Sequence, residues 1–216
     1  MPQIFPEAAN GIARLVLWAA LVAVLGLVAL SVLLPRSDMF TGQDRILAQP
    51  VPFSHQHHAG GLGIDCRYCH AAVEQSAFAG MPPTETCMTC HSQLWTRAEM
   101  LDPVRQSLAT GTPLRWNRVH DLADYVYFNH GAHVSNGVGC TTCHGAVDEM
   151  PLMRQAAPLT MEWCLDCHRD PAPNLRPPEA VFATDWRRGS EAEQAALMGR
   201  YDIHPETMTD CNVCHR

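Results

Sequence analysis

The chain contains no lysine: all fifteen of its basic residues are arginine, against 22 acidic residues in 216. The formal charge of −7 argues against a nucleic-acid partner, which would need a basic footprint. No cysteine is left unpaired by pattern. The ten fall as Cys66/Cys69, Cys87/Cys90, Cys140/Cys143, Cys164/Cys167 and Cys211/Cys214, always with two residues between them. That uniformity excludes an ordinary disulfide framework, whose cysteines are not identically spaced. Finally, Leu15 to Leu34 lacks any charge or proline.

What is present follows each cysteine pair at once: His70, His91, His144, His168 and His215. C-x-x-C-H is the attachment pattern of c-type haem, with two thioethers to the porphyrin and the adjacent histidine as proximal axial ligand. Structural zinc sites do not require a histidine after every second cysteine, and a thioredoxin-like redox motif occurs once rather than five times. Five covalently bound haem c groups are therefore expected. Residues 37–216 must wrap five apolar macrocycles, which predicts mostly irregular loops and short α-helices. Sixteen prolines and fourteen glycines suit such loops. Some of the arginines are candidates to pair with haem propionates.

At about 1.5 Å per residue, Leu15–Leu34 spans a bilayer core of about 30 Å. A cleavable leader has a shorter apolar core and a small-residue cleavage site, whereas this run passes into Pro35, Arg36, Ser37 and Asp38. A buried core helix would be less uniformly apolar. The expectation is an uncleaved single-span anchor in residues 1–36 and a haem domain in 37–216. Because haem c is attached outside the bacterial inner membrane, that domain is expected on the periplasmic side.

The first cysteines of successive motifs are separated by 21, 53, 24 and 47 residues, which groups them as a haem pair in 50–110, a second in 111–180 and a single haem in 181–216. The two pairs are internal repeats. PFSHQHHAGGLGIDCRYCHAAVE aligns with YFNHGAHVSNGVGCTTCHGAVDE, matching Phe53 with Phe128, His55 with His130, His58 with His133 and Val73 with Val147. His57 has no counterpart, since Ala132 takes its place. The repeated F-x-H-x-x-H element makes His55, His58, His130 and His133 the expected distal iron ligands, with one helical turn serving two irons. The fifth distal ligand stays open among Met150, Met153, Met161, His120 and His204. A methionine would raise that haem's potential, though methionine also fills gaps against apolar groups. Two short helices are expected, one over Leu101–Gly111 and one opening at the capping box Ser190/Glu193 and stopping at Gly199. NLRPPEA reads as a loop without chemistry.

QPVPFSHQHHAGGLGIDCRYCH, FAGMPPTETCMTCHSQLW, VHDLADYVYFNHGAHV and LTMEWCLDCHR together resemble the pentahaem cytochrome c subunit of bacterial alternative complex III, over essentially the whole chain. A looser resemblance to class III multihaem cytochromes covers the haem pairs. The first resemblance implies an electron wire in a quinol-oxidising respiratory or photosynthetic membrane complex. Its partners would be an iron–sulfur, molybdopterin-like large subunit, integral membrane subunits that bind quinol, and a monohaem cytochrome, terminal oxidase or soluble carrier. The subunit would carry no catalytic residue of its own. Two other functions compete. A stand-alone membrane-anchored quinol dehydrogenase would favour an open haem beside the anchor. A multihaem nitrite or hydroxylamine enzyme is disfavoured: a catalytic haem needs a vacant distal site, candidate distal ligands here outnumber the haems, and the lysine that ligates the catalytic haem of pentahaem nitrite reductases is absent.

Overall fold

The structure, a computed structural model, describes Pro6 and residues 8–215; the outer bounds 1 and 216 of the expected units lie outside the described residues. It divides into one unit up to Gly42 and another from Gln43 onward.

In the first unit, Ala8–Leu33 is one α-helix, α1, with no buried residue. It starts seven residues before the expected span, because Ala8 to Arg14 contains no helix breaker stronger than Gly11. Its 26 residues rise about 39 Å. It ends where Pro35 enters a short 3₁₀ turn, since proline cannot donate the next helical hydrogen bond. The helix is long and apolar enough to cross a membrane, with a mean hydropathy of 2.7, and a leader sequence would meet the same criterion.

The second unit has short helices and loops, and no strand among the described residues; extended segments meet only as isolated bridges such as Val138 with Leu175. Asp102–Thr110 is helical and closes at Gly111, whose φ of +64° is the left-handed conformation that glycine adopts without strain. Glu191–Arg200 opens at the expected Ser190/Glu193 capping box but runs through Gly199 to Arg200. Gly199 keeps helical geometry there, and the amide of Tyr201 still bonds the Leu197 carbonyl. The segment 174–180, expected to be a plain loop, instead begins in one 3₁₀ turn, Ala172–Asn174, and ends in another, Pro178–Ala180.

The protein core is small. Among the described residues the buried hydrophobics are Val51, Val73, Leu101, Val104, Met150, Ala157, Leu175 and Val181. Val51, Leu101 and Val104 form one cluster that seats Cys87 and Met88 of the second motif's helix. Beneath it, a buried hydrogen bond of 2.6 Å joins Thr84 to Ser107.

Candidate haem-binding site

Each C-x-x-C pair lies on a helical turn: Cys66–Cys69, Thr84–His91, Cys140–His144, Met161–Arg169 and Cys211–Cys214. Positions i and i+3 share a face, so both thiols of a pair point the same way. The motifs also neighbour one another. Cys69 neighbours Cys87, Cys66 neighbours Cys140, Cys143 neighbours Cys164 and Cys167, and Cys164 neighbours Cys214. Their order in space is thus second, first, third, fourth, fifth. Burial pushes the Cys143 thiol up to about 12.

The ten thiols are not equally enclosed, although the sequence assigns all of them the same attachment role. Cys90 and Cys211 are exposed, whereas the other eight cysteines are half-buried. The protein packs less closely around Cys90 and Cys211 than around the other eight thiols. The reason is position. The second and fifth motifs end the row, so each has a neighbouring motif on one side only; Cys87 packs against the Val51/Leu101/Val104 cluster, while Cys90, one turn on along the same face, has no such cover. The polar neighbour of the Cys90 sulfur is the Thr89 hydroxyl at 3.9 Å.

The histidines are held through one ring nitrogen. His58 Nδ1 donates to the Ser54 carbonyl at 2.8 Å and His133 Nδ1 to the equivalent Asn129 carbonyl at 2.7 Å. His70 donates to Gly80 (2.7 Å), His91 to Leu94 (3.2 Å), His130 to Ala77 (2.9 Å), His168 to Met208 (2.8 Å) and His215 to Tyr125 (3.1 Å). A carbonyl only accepts, so the proton resides on Nδ1 and the Nε2 lone pair is left for a metal. Two histidines depart from this rule. His144 Nδ1 is bonded to His120 Nε2 at 3.1 Å, and His55 Nδ1 is buried with no partner.

Phe53 and Phe128 set the ring positions. Phe53 stacks on His58 at 4.4 Å and meets His55 edge-on at 5.0 Å; Phe128 stacks on His133 at 4.5 Å and meets His130 edge-on at 4.7 Å. The rings so placed face the motif histidines. Centroid separations are 6.2 Å for His58–His91, 6.3 Å for His130–His144 and 6.2 Å for His133–His168. Two imidazoles on opposite sides of one metal ion, each bonded at about 2.0–2.1 Å, have centroids about 6.3 Å apart. His55 lies within electrostatic range of His70. Burial first, then the charges of His120, His130, His70 and His55, together lower His144 to about 3. Burial first, then neighbouring histidine charges, lowers both His55 and His120 to about 4. All three rings are neutral at pH 7, the form that coordinates metals.

The remaining candidates are scattered. His204 is exposed, with Nε2 bonded to Asp202 at 3.1 Å and Nδ1 to Glu206 at 3.2 Å, so carboxylates occupy both nitrogens. His120 supports His144. Met150 is buried, Met153 is half-buried, and Met161 is exposed at the start of its helix. The aromatic neighbour of His215 is Tyr125, with centroids 5.8 Å apart. His57 is exposed, edge-on to His58.

The two repeats pack on each other reciprocally. The Gln56 amide donates to the Met150 carbonyl (2.9 Å), and the Gly131 amide donates to the Ser76 carbonyl (3.0 Å). Gln56 is the repeat equivalent of Gly131, and Ser76 of Met150, so these are one contact made twice. Cys66 and Cys140 are also equivalents, and they meet each other, as residues on an approximate twofold axis must. Both approaches are close. A Cβ on Gly60 would overlap the Asp148 carbonyl oxygen outright, and one on Gly131 would lie 3.2 Å from the Glu74 carbonyl oxygen. The first repeat has one residue more between its second histidine and its cysteine, and Gln56–Gly61 absorbs it as a π-helical turn. His130–Ser135 in the second repeat is ordinary α-helix.

These residues fit haem. Facing neutral imidazoles match the span of a six-coordinate iron, paired thiols lie beside each motif histidine, and the small protein core leaves apolar groups such as Leu62, Tyr68, Phe78 and Trp95 exposed. Sequence reasoning missed the carbonyls that hold Nδ1, which carry no side-chain signal. For His120 the sequence leaves both a haem ligand and a hydrogen-bonding role open, and its partner is His144.

Residues 37–105 match the class III cytochrome c family. A relative from Nitratidesulfovibrio vulgaris, named as the multiheme cytochrome c subunit of menaquinone reductase, is 32% identical over 131 residues. That alignment takes in 60% of this chain and 56% of the relative, so the chain spans about half the length of the curated protein it matches. Through the first motif pair, the chain is thus similar to the class III multihaem cytochromes c.

Proposed function

We propose that the chain is a membrane-anchored pentahaem cytochrome c that conducts electrons within a quinone-linked membrane complex, and that it is not an enzyme by itself. The ten cysteines would attach five haems, with His70, His91, His144, His168 and His215 as proximal ligands. The distal partners would be His55 opposite His70, His58 opposite His91, His130 opposite His144 and His133 opposite His168. For the fifth motif a methionine is the favoured class, among Met150, Met153 and Met161. Haem at these positions supplies reversible one-electron chemistry.

The observation that carries this reading is the set of facing imidazole pairs at 6.2–6.3 Å. The protein's own part is to fix ring position through Phe53 and Phe128, fix the tautomer through backbone carbonyls, and line up the motifs. The second and fifth motifs, with the exposed Cys90 and Cys211, end that line, so partner subunits would exchange electrons there. Residues 37–216 would lie on the periplasmic face, tethered by α1. The resemblance to the alternative complex III subunit and the quinone-linked name of the relative both favour such a complex. Its other members would be an iron–sulfur subunit, integral quinol-binding subunits and a monohaem cytochrome or oxidase acceptor.

Two measurements test the proposal. Haem quantification is expected to give five per chain, with electron paramagnetic resonance (EPR) showing low-spin iron; a high-spin haem that binds nitrite would reject the wire. Mild detergent extraction should yield a multi-subunit assembly. A cytochrome migrating alone with quinol oxidation intact would instead establish the stand-alone quinol dehydrogenase.

A further inference from the structure

Arg176 is 3% exposed, yet among the described residues no carboxylate pairs with it. Nη1 donates to the Ala183 carbonyl at 2.8 Å and the Ala180 carbonyl at 3.5 Å. Nη2 donates to the hydroxyls of Thr141 and Thr142, the two residues between the cysteines of the third motif. Nε has no acceptor and is blocked, because Gly139 packs so closely on it that a Cβ there would overlap the guanidinium. Four of the five guanidinium donors are thus taken by neutral oxygens and the fifth faces backbone, which leaves little room for an anion to bind in the two-pronged manner arginine favours. Trp186 covers the group, its ring centroid 4.8 Å from Cζ. The surroundings hold the charge rigidly. Leu175 bridges to Val138, the Arg176 amide donates to the Gly137 carbonyl (2.8 Å), and Tyr201 donates to the Arg176 carbonyl (2.8 Å).

The equivalent place in the first repeat is the reverse. Arg67 occupies the position of Thr141, but it is exposed and neutralised by Asp65 at 2.7 Å and Glu74 at 3.8 Å. A buried, uncompensated cation stabilises a neighbouring redox centre in its more electron-rich state, while a solvated, paired cation does so weakly.

Building on the haem-binding reading, we propose that Arg176 is a potential-setting residue. Its buried charge makes the third-motif haem more oxidising than its first-motif equivalent and so draws electrons across the repeat axis toward the fifth motif.

The test is spectroelectrochemical titration of the intact protein with haem content measured in parallel. The near-parallel rings of His130 and His144, at 7°, should give that haem a rhombic EPR signal distinct from those of His58–His91 (64°) and His133–His168 (37°), which assigns the affected centre. Arg176→Gln should lower the potential of that one centre, shifting its electron occupancy by about tenfold, or about 59 mV for one electron. Arg176→Lys should retain most of the potential even if it lowers stability. Thr142→Asp, which places a carboxylate beside the guanidinium, should lower the same potential and decides the matter if the glutamine variant does not accumulate. Unchanged potentials in a glutamine or aspartate variant that carries its full haem complement would overturn the proposal, as would an equal fall in the lysine variant. A wrong haem count or spin state in the unaltered protein would instead reject the haem-binding reading.

Discussion

The two repeats place equivalent rings almost identically but support them differently. Phe53, His55 and His58 superpose in kind on Phe128, His130 and His133, with stacking distances of 4.4 and 4.5 Å. Around those rings, however, one repeat has a π turn and the other an α-helix. His70 leans on a carbonyl where His144 leans on His120, and His130 has a carbonyl where His55 has none. The lesson is that the distance between facing imidazoles is the quantity the repeats share. The local backbone and the outer hydrogen bonds vary around it, and those outer bonds are what tune a metal ligand.

The comparison breaks most readily where the repeats touch. Gly60→Ala drives a methyl into a backbone oxygen, whereas Gly131→Ala sets one at 3.2 Å. Denaturant unfolding followed at the haem absorbance should show losses of about 3 and about 1 kcal/mol respectively; the opposite ranking would contradict the packing described. Next come the proposed distal ligands. His58→Ala and His133→Ala should each convert one low-spin haem to high spin, equally in EPR, and unequal conversion would show that the repeats are not equivalent at iron. A smaller change is expected from His120→Phe, which removes the partner of His144 alone. The rhombic signal assigned to the parallel pair should shift while haem content stays at five, and a shift in any other signal would count against this pairing.

The smallest effect concerns whether the fifth motif carries a third copy of the element. His204 precedes Cys211 by the same seven residues that separate His133 from Cys140. Hydrogen bonds and charges from Asp202 and Glu206 raise its pKa above the usual histidine range. A raised folded-state pKa contributes stability below the unfolded value of 6.5, and that contribution is lost as pH rises through the folded value. Nuclear magnetic resonance should therefore show His204 titrating above 6.5 as a free imidazole, and His204→Gln should leave the low-spin count unchanged. A loss of one low-spin haem would make it a ligand after all.

Much of this was legible in the sequence. C-x-x-C-H needs specific residues at fixed spacing, and F-x-H-x-x-H recurs with the same ring types, so both the motifs and the candidate distal histidines could be read. The capping box at Ser190 was readable for the same reason: its two side chains do the bonding. What escaped depends on backbone or on burial. The carbonyls of Gly80, Ala77 and Met208 have no residue-specific signature, and nothing in NLRPPEA distinguishes a buried Arg176 from a solvated arginine. The motif likewise hides that Cys90 is exposed while Cys87 is half-buried, because that difference comes from which motif stands at the end of the row. The helix α1 starts seven residues ahead of the uncharged run, because a single arginine at position 14 ends the run without stopping a helix.

The meeting of Cys66 with Cys140 has a consequence beyond the present chain. A surface on which each element contacts its own counterpart is isologous, the arrangement of a homodimer closed by a twofold axis. Each half already carries both sides of its own interface, since the turn bearing its F-x-H-x-x-H histidines docks on the segment that follows the other half's first motif. Such a half, produced alone with its haems, should self-associate. The two repeats thus have the arrangement of a twofold dimer held within one chain, with different electrostatics on its two sides.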